Sequence, residues 1–115
     1  MDKGGTIPTD GNIIEVALRI AADPSTSLDN RVTAIHAAGP DSLPLARKMA
    51  VDAAEPVYLR KAAIARIGLH GDAADFATLE KLRSENSRLA QAAEPALKAI
   101  RDRIDHPSVR QPIPF

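Results

Sequence analysis

A chain of 115 residues has room for one domain with one modest core, above the size at which disulfide or metal staples become necessary. Hydrophobic residues make up 44% but aromatics only 3%, and there is no cysteine; the core must be aliphatic and alanine-rich, and disulfide and thiolate chemistry are excluded. Fifteen basic side chains balance fifteen acidic ones, which leaves no strong electrostatic footprint for nucleic acid or anionic lipid.

Residues 1–11 hold three glycines and a proline without periodicity and read as a flexible leader. They carry no apolar signal-peptide segment. With cysteine absent, the expected location is the cytoplasm. The longest apolar stretch, residues 13–22, is broken by Glu15 and Arg19 and is too short and too charged to span a bilayer. The first helix is expected over 12–22 and ends at Asp23-Pro24, because the residue before proline avoids the helical region. Ser27 is the expected N-cap of a second helix over 28–38, which Gly39-Pro40 stops. Asp41 is expected to cap a third over 42–53, with Pro44 in its tolerant first turn. Pro56 opens a fourth over 57–69, with Gly68 and Gly71 closing it, and Asp72 caps a fifth over 73–84. The sixth is expected over 87–104, kinked or divided at Pro95. Residues 105–115 contain three prolines and read as an extended tail. No segment alternates as a half-buried strand does.

The helices repeat. Arg31, Ala34, Ile35 and Gly39 align with Arg60, Ala63, Ile64 and Gly68 at a constant offset of 29 residues. The preceding helices keep the same offset: Ile14, Ala17 and Ile20 align with Leu43, Ala46 and Met49. A third copy follows, with Phe76, Leu79 and Leu82 on its first helix and Leu89 to Leu97 on its second, where Ala90 stands in place of the arginine.

The run Leu59-Arg60-Lys61-Ala62-Ala63-Ile64-Ala65-Arg66-Ile67-Gly68, followed by Gly71-Asp72, resembles the second helix and turn of a HEAT repeat. The form is the short, alanine-rich one of phycobilisome-lyase-type HEAT proteins, and the resemblance covers residues 12–104. It implies an all-α fold, an α-α superhelix of about three antiparallel helical hairpins. One hairpin cannot bury its own apolar face, and about three stacked repeats are the useful minimum.

On a helical wheel Leu59, Ala62, Ala63 and Ile67 form the buried arc of the fourth helix, with Arg60 at its edge and Tyr58, Lys61 and Ala65 pointing away. The same outward ridge takes Asp29, Val32 and His36 on the second helix and Arg88, Gln91 and Pro95 on the sixth. The resemblance implies that the second helices line a concave side, which makes this ridge a candidate partner-binding surface; ordinary solvated side chains are the competing explanation. Arg31 and Arg60 each follow an acid by eight residues, Asp23 and Asp52, and are expected to form a structural ladder between repeats. The first helix is apolar over a wide arc, while the sixth is polar outside its core stripe. The N-terminal face, with Ile14 and Leu18, is therefore a second candidate contact surface, for a second copy, a larger partner or the glycine-rich leader folding back, and the C-terminal end looks like a finished cap.

No catalytic centre emerges. His36, His70 and His106 lack partners at metal-ligand spacing, and the His-Glu pairs of the metal-dependent hydroxylases built from HEAT repeats are missing. There is no phosphate-binding glycine loop and no nucleophile elbow. No metal or cofactor is expected. The expected function is a non-catalytic scaffold, adaptor or accessory subunit that binds another protein or a second copy of itself. One alternative is a lyase-like or chaperone-like helper presenting a tetrapyrrole or a client chain on the concave face. Nucleic-acid binding, the third, wants aromatic platforms and a basic groove, and the chain has no tryptophan and one tyrosine.

Overall fold

A computed structural model describes residues 10–105, with side chains from Ile13 onward. Those residues are all helical, with no strand among them. The helices are α1 (Asp10–Ala22), α2 (Leu28–Ala37), α3 (Leu43–Ala50), α4 (Val57–His70), α5 (Phe76–Glu85) and α6 (Ser87–Asp105). Short 3-10 turns, Gly39–Ser42 and Ala73–Asp75, lead into α3 and α5. Successive helices pair as α1 with α2, α3 with α4, and α5 with α6, and α4 packs against both α2 and α6. The expected leader loses its last two residues to the first turn of α1, and the rest of it lies outside the described residues. The expected tail lies outside them too, apart from Asp105 at the end of α6.

The core is one cluster of alanine, leucine, isoleucine and Met49 contributed by every helix. α4 sits at its centre, and this explains why it is buried more widely than the wheel suggests: Arg60 and Ile64 are enclosed along with Leu59, Ala63 and Ile67. Ala62, expected within the buried arc, is only partly covered.

Local chemistry sets the helix ends. Ser27 caps α2 by accepting the Asn30 N–H. Gly39 ends α2 at φ +60°, a left-handed conformation that side-chain-bearing residues adopt only with strain. Asp41 caps nothing: it lies inside the 3-10 turn that precedes α3. α3 stops at Ala50 rather than at residue 53, because the Asp52 carboxylate accepts the Ala54 N–H and offers the backbone a turn in place of a further helical bond. Asp72 and Asp75 form a reciprocal capping box. Asn86 closes the α5–α6 junction by accepting the Leu89 N–H. Gly68 does not end α4, which runs on to His70. A Cβ at Gly68 would stand 2.8 Å from the Ala96 Cα, so this glycine lets α4 and α6 approach backbone to backbone. Pro95 does not divide α6: the helix runs continuously through it, and the proline is exposed.

Candidate functional site

Two buried arginines tie the hairpins together by the same geometry. Arg31 is 3% exposed; its Nε donates to the Ala21 carbonyl at 2.9 Å and its guanidinium reaches Glu55 at 3.0 Å. Arg60 is 4% exposed; its Nε donates to the Ala50 carbonyl at 3.0 Å and its two terminal nitrogens grip Glu85 at 2.9 and 3.1 Å. Ala21 and Ala50 lie in the last turns of α1 and α3, where carbonyls have no partner within the helix. Glu55 and Glu85 stand just ahead of the next second helix. Each arginine thus joins its own hairpin to its successor. Asp23 and Asp52 are not the acids involved: each folds back on its own turn, accepting the backbone N–H two residues on. The sequence signal for Glu55 and Glu85 lies 24 and 25 residues downstream of the arginines, whereas Asp23 and Asp52 lie upstream. A third tie, unforeseen, joins α3 to the turn before α5: Arg47 makes two 2.9 Å bonds to the buried Asp75 carboxylate. Arg103 plays a related part at the end of α4, donating to the Gly68 and Gly71 carbonyls at 2.8 Å each.

The ridge of second-helix residues is only partly continuous. Asp29, His36, Tyr58, Arg88 and Gln91 are exposed. Lys61, half-buried, donates to the Gln91 side chain at 3.2 Å and so links α4 to α6 across the ridge. Val32 departs from expectation, packing against the core instead of standing outward. Towards the C-terminal ends of α4 and α6 the ridge turns apolar, and a shallow hollow of about 270 Å³ lies among Ala65, Leu69, Ala92 and Pro95.

The N-terminal face is apolar, but through other residues than expected. Ile14 and Leu18 pack against the core. The displayed side chains are Ile13, Val16 and Ile20, exposed by 56, 49 and 37%. They stand at i, i+3 and i+7, one ridge along α1. Beside that ridge a groove of about 450 Å³ runs between α1 and α2, floored by Ala17, Ala34 and Ala37. The 29-residue offset carries Val16, Ala17, Ile20 and Ala34 to Leu45, Ala46, Met49 and Ala63. In the second hairpin those positions are covered, Leu45 partly and the others fully. Ala17 and Ala34 are buried in the first hairpin as well, so the two hairpins differ in Val16 and Ile20, which stand exposed where Leu45 and Met49 are covered.

Asp75, Glu85, His36 and His70 depart from their ordinary acidity through burial, ion pairing and nearby charge. Burial alone would raise the Asp75 carboxyl, but the Arg47 hydrogen bonds, the Asp72 N–H and the Arg47 charge outweigh it and hold the group below its ordinary value. The Glu85 carboxyl is held low by its hydrogen bonds to Arg60. His36 and His70 are both pushed down, first by partial burial and then by the Arg66 charge, and in His70 by Arg103 as well. Arg66 Nε is itself shut off from solvent with no hydrogen-bond partner. Among the described residues no three His, Asp or Glu side chains could hold a metal ion, and no helix is long and apolar enough to cross a membrane. Comparison with protein-family models, with curated proteins and with solved structures finds no match to the chain.

Proposed function

We propose that the chain is a non-catalytic helical-repeat interaction module, a small scaffold, adaptor or accessory subunit that associates with another protein chain. Its repeats are HEAT-like and its three hairpins stack as a short α-α superhelix. The repeated arginine bridges, the 29-residue offset and the packing of α4 between α2 and α6 support that architecture. The observation that carries the function is the open groove on the first hairpin, beside Val16 and Ile20, whose equivalents in the second hairpin are covered. The support is that an apolar face left in water costs about 25 cal/mol per Å² of apolar surface, which docking would recover.

The test is the native mass of the assemblies that hold the chain in its source, for the parent and for the double variant Val16→Glu/Ile20→Glu. Both positions are solvent-exposed, so the variant is expected to keep the parent's helix content. The parent is expected in an assembly heavier than the 12.2 kDa chain, and the variant at the chain's own mass. An assembly unchanged by the two charges would remove the groove as the docking face.

A second reading, a helper that presents a tetrapyrrole or a client chain, draws support from the apolar hollow between α4 and α6. Pigment absorbance on the purified parent, lost in Ala65→Asp, would favour it.

A further inference from the structure

We infer that the occupant of the first-hairpin face is a second copy of this chain, seated antiparallel across a two-fold axis so that the two α1 ridges interdigitate and each copy covers the other's groove. This rests on the reading of that groove as a docking face and names its occupant.

Shape comes first. The ridge Ile13–Val16–Ile20 and the alanine-floored groove beside it lie on one face of one hairpin. A perpendicular two-fold axis across this face sets one apolar ridge against the other and one apolar groove against the other, so that each copy covers the other. Antiparallel pairing about a dyad near Val16 and Ala17 sets Ile13 opposite the other copy's Ile20 and brings the two Val16 side chains together.

Charge selects the direction. Glu15 and Arg19 are exposed and flank the ridge on the side away from the core, and neither has an ion-pair partner among the described residues. A two-fold axis perpendicular to the helices brings like flanks together. In the antiparallel arrangement Glu15 of each copy then faces Arg19 of the other, giving two opposite-charge pairs. In a parallel two-fold arrangement the Glu15–Arg19 flank would face the other copy's opposite flank, and these pairs would not form.

The far end of the molecule excludes head-to-tail stacking of copies. Such stacking would press the outer face of α6 into the groove, and that face carries Glu94, Lys98 and Asp102, all exposed. Burying those charges against alanine and isoleucine has no compensation. The contact therefore closes at two copies and does not propagate.

Sedimentation equilibrium of the full purified chain, up to millimolar concentration, tests this. The parent is expected as a reversible dimer. Glu15→Arg and Arg19→Glu are each expected to weaken it about tenfold, since each turns two attractive pairs into two repulsive ones. A one-to-one mixture of those two variants is expected to associate at least as tightly as the parent, because every facing pair is again of opposite sign. Val16→Glu is expected to abolish association while circular dichroism stays that of the parent. A parent that stays monomeric overturns the inference. So do growth beyond the dimer, a dimer indifferent to Val16→Glu, and a Val16-dependent dimer indifferent to both charge variants. A monomeric parent whose heavier source assembly is still lost in Val16→Glu/Ile20→Glu leaves the docking face standing with a different occupant. If that assembly is also unaffected, both conclusions fall.

Discussion

Arg60 donates to three oxygens at 3.0, 2.9 and 3.1 Å, all within the ordinary hydrogen-bond range. A guanidinium is a planar fork that serves a helix-end carbonyl and a carboxylate together; a lysine ammonium at the same depth lacks that geometry. Arg60→Ala leaves the Ala50 carbonyl and Glu85 without their partner, and is expected to lower stability by about 1–3 kcal/mol more than Lys61→Ala, whose single bond to Gln91 is exposed. Urea unfolding of the two variants gives the comparison, and equal midpoints would refute it. Asp75 adds a pH-dependent part. Its carboxyl is held below the ordinary value of 3.8 in the folded chain, so its stabilising contribution is present above that value and is lost as pH falls through the lowered folded one. Asp75→Asn is expected to cost about 1–2 kcal/mol near neutrality, a figure kept small because Arg47 is partly solvated. The urea midpoints of parent and variant should converge in acid, and a gap that persists there would assign the cost to packing instead of charge.

Gly39 and Gly68 occupy one position of the repeat and do two different things. The first takes φ +60° and ends α2; the second lies within α4, against the backbone of α6. Gly39→Ala meets no neighbour and is expected to cost about 1–2 kcal/mol of left-handed strain. Gly68→Ala has to push the helices apart, and is expected to cost about 1–3 kcal/mol or more. Only the Gly68 variant should also speed hydrogen exchange in α6; equal exchange in the two would show that helix–helix contact is not the difference. The pair shows what the sequence made legible. The 29-residue offset revealed the repeat, and the turn chemistry of Ser27, Gly39 and Asp72 placed helix ends within a few residues. A repeat position does not say whether its helix stops there, because that depends on the neighbour: α2 ends where α4 continues beside α6. The same holds for α1. Its wide apolar arc was evident, but which flank stays open depends on where α2 lies, and the structure turns Ile14 and Leu18 inward and leaves Ile13, Val16 and Ile20 outside. Glu55 and Glu85 were legible in principle, as acids at nearly the same distance beyond each arginine. The Arg47–Asp75 tie has no counterpart in the first hairpin, where Leu18 holds the equivalent position, so repetition could not point to it.

At the scale of the whole molecule, stability is unevenly shared along the row of hairpins. In a stacked array each unit is held by its own pairing and by its nearest neighbours. α4 has three packing partners, α2, α3 and α6, and its buried face is complete. α1 packs chiefly on α2, and one whole flank of it faces solvent. The bond from Arg31 to Glu55 is the charged tie between the first hairpin and the second, and through the Ala21 carbonyl the same side chain also holds the end of α1. Local opening should therefore begin at α1, with α4 the last to open. Amide hydrogen exchange of the dilute chain is expected to show α1 least protected and α4 most. Arg31→Ala is expected to speed exchange in α1 and α2 by about tenfold or more, the equivalent of losing roughly 1.4 kcal/mol, while leaving α5 and α6 near the parent rates. Uniform acceleration across all six helices would mean that the hairpins open as one unit and that the arginine bridges do not separate them. Raising the chain concentration adds a further discrimination. If a second copy covers the α1 ridge, protection should grow in α1 and in the groove-lining side of α2, and nowhere on α6.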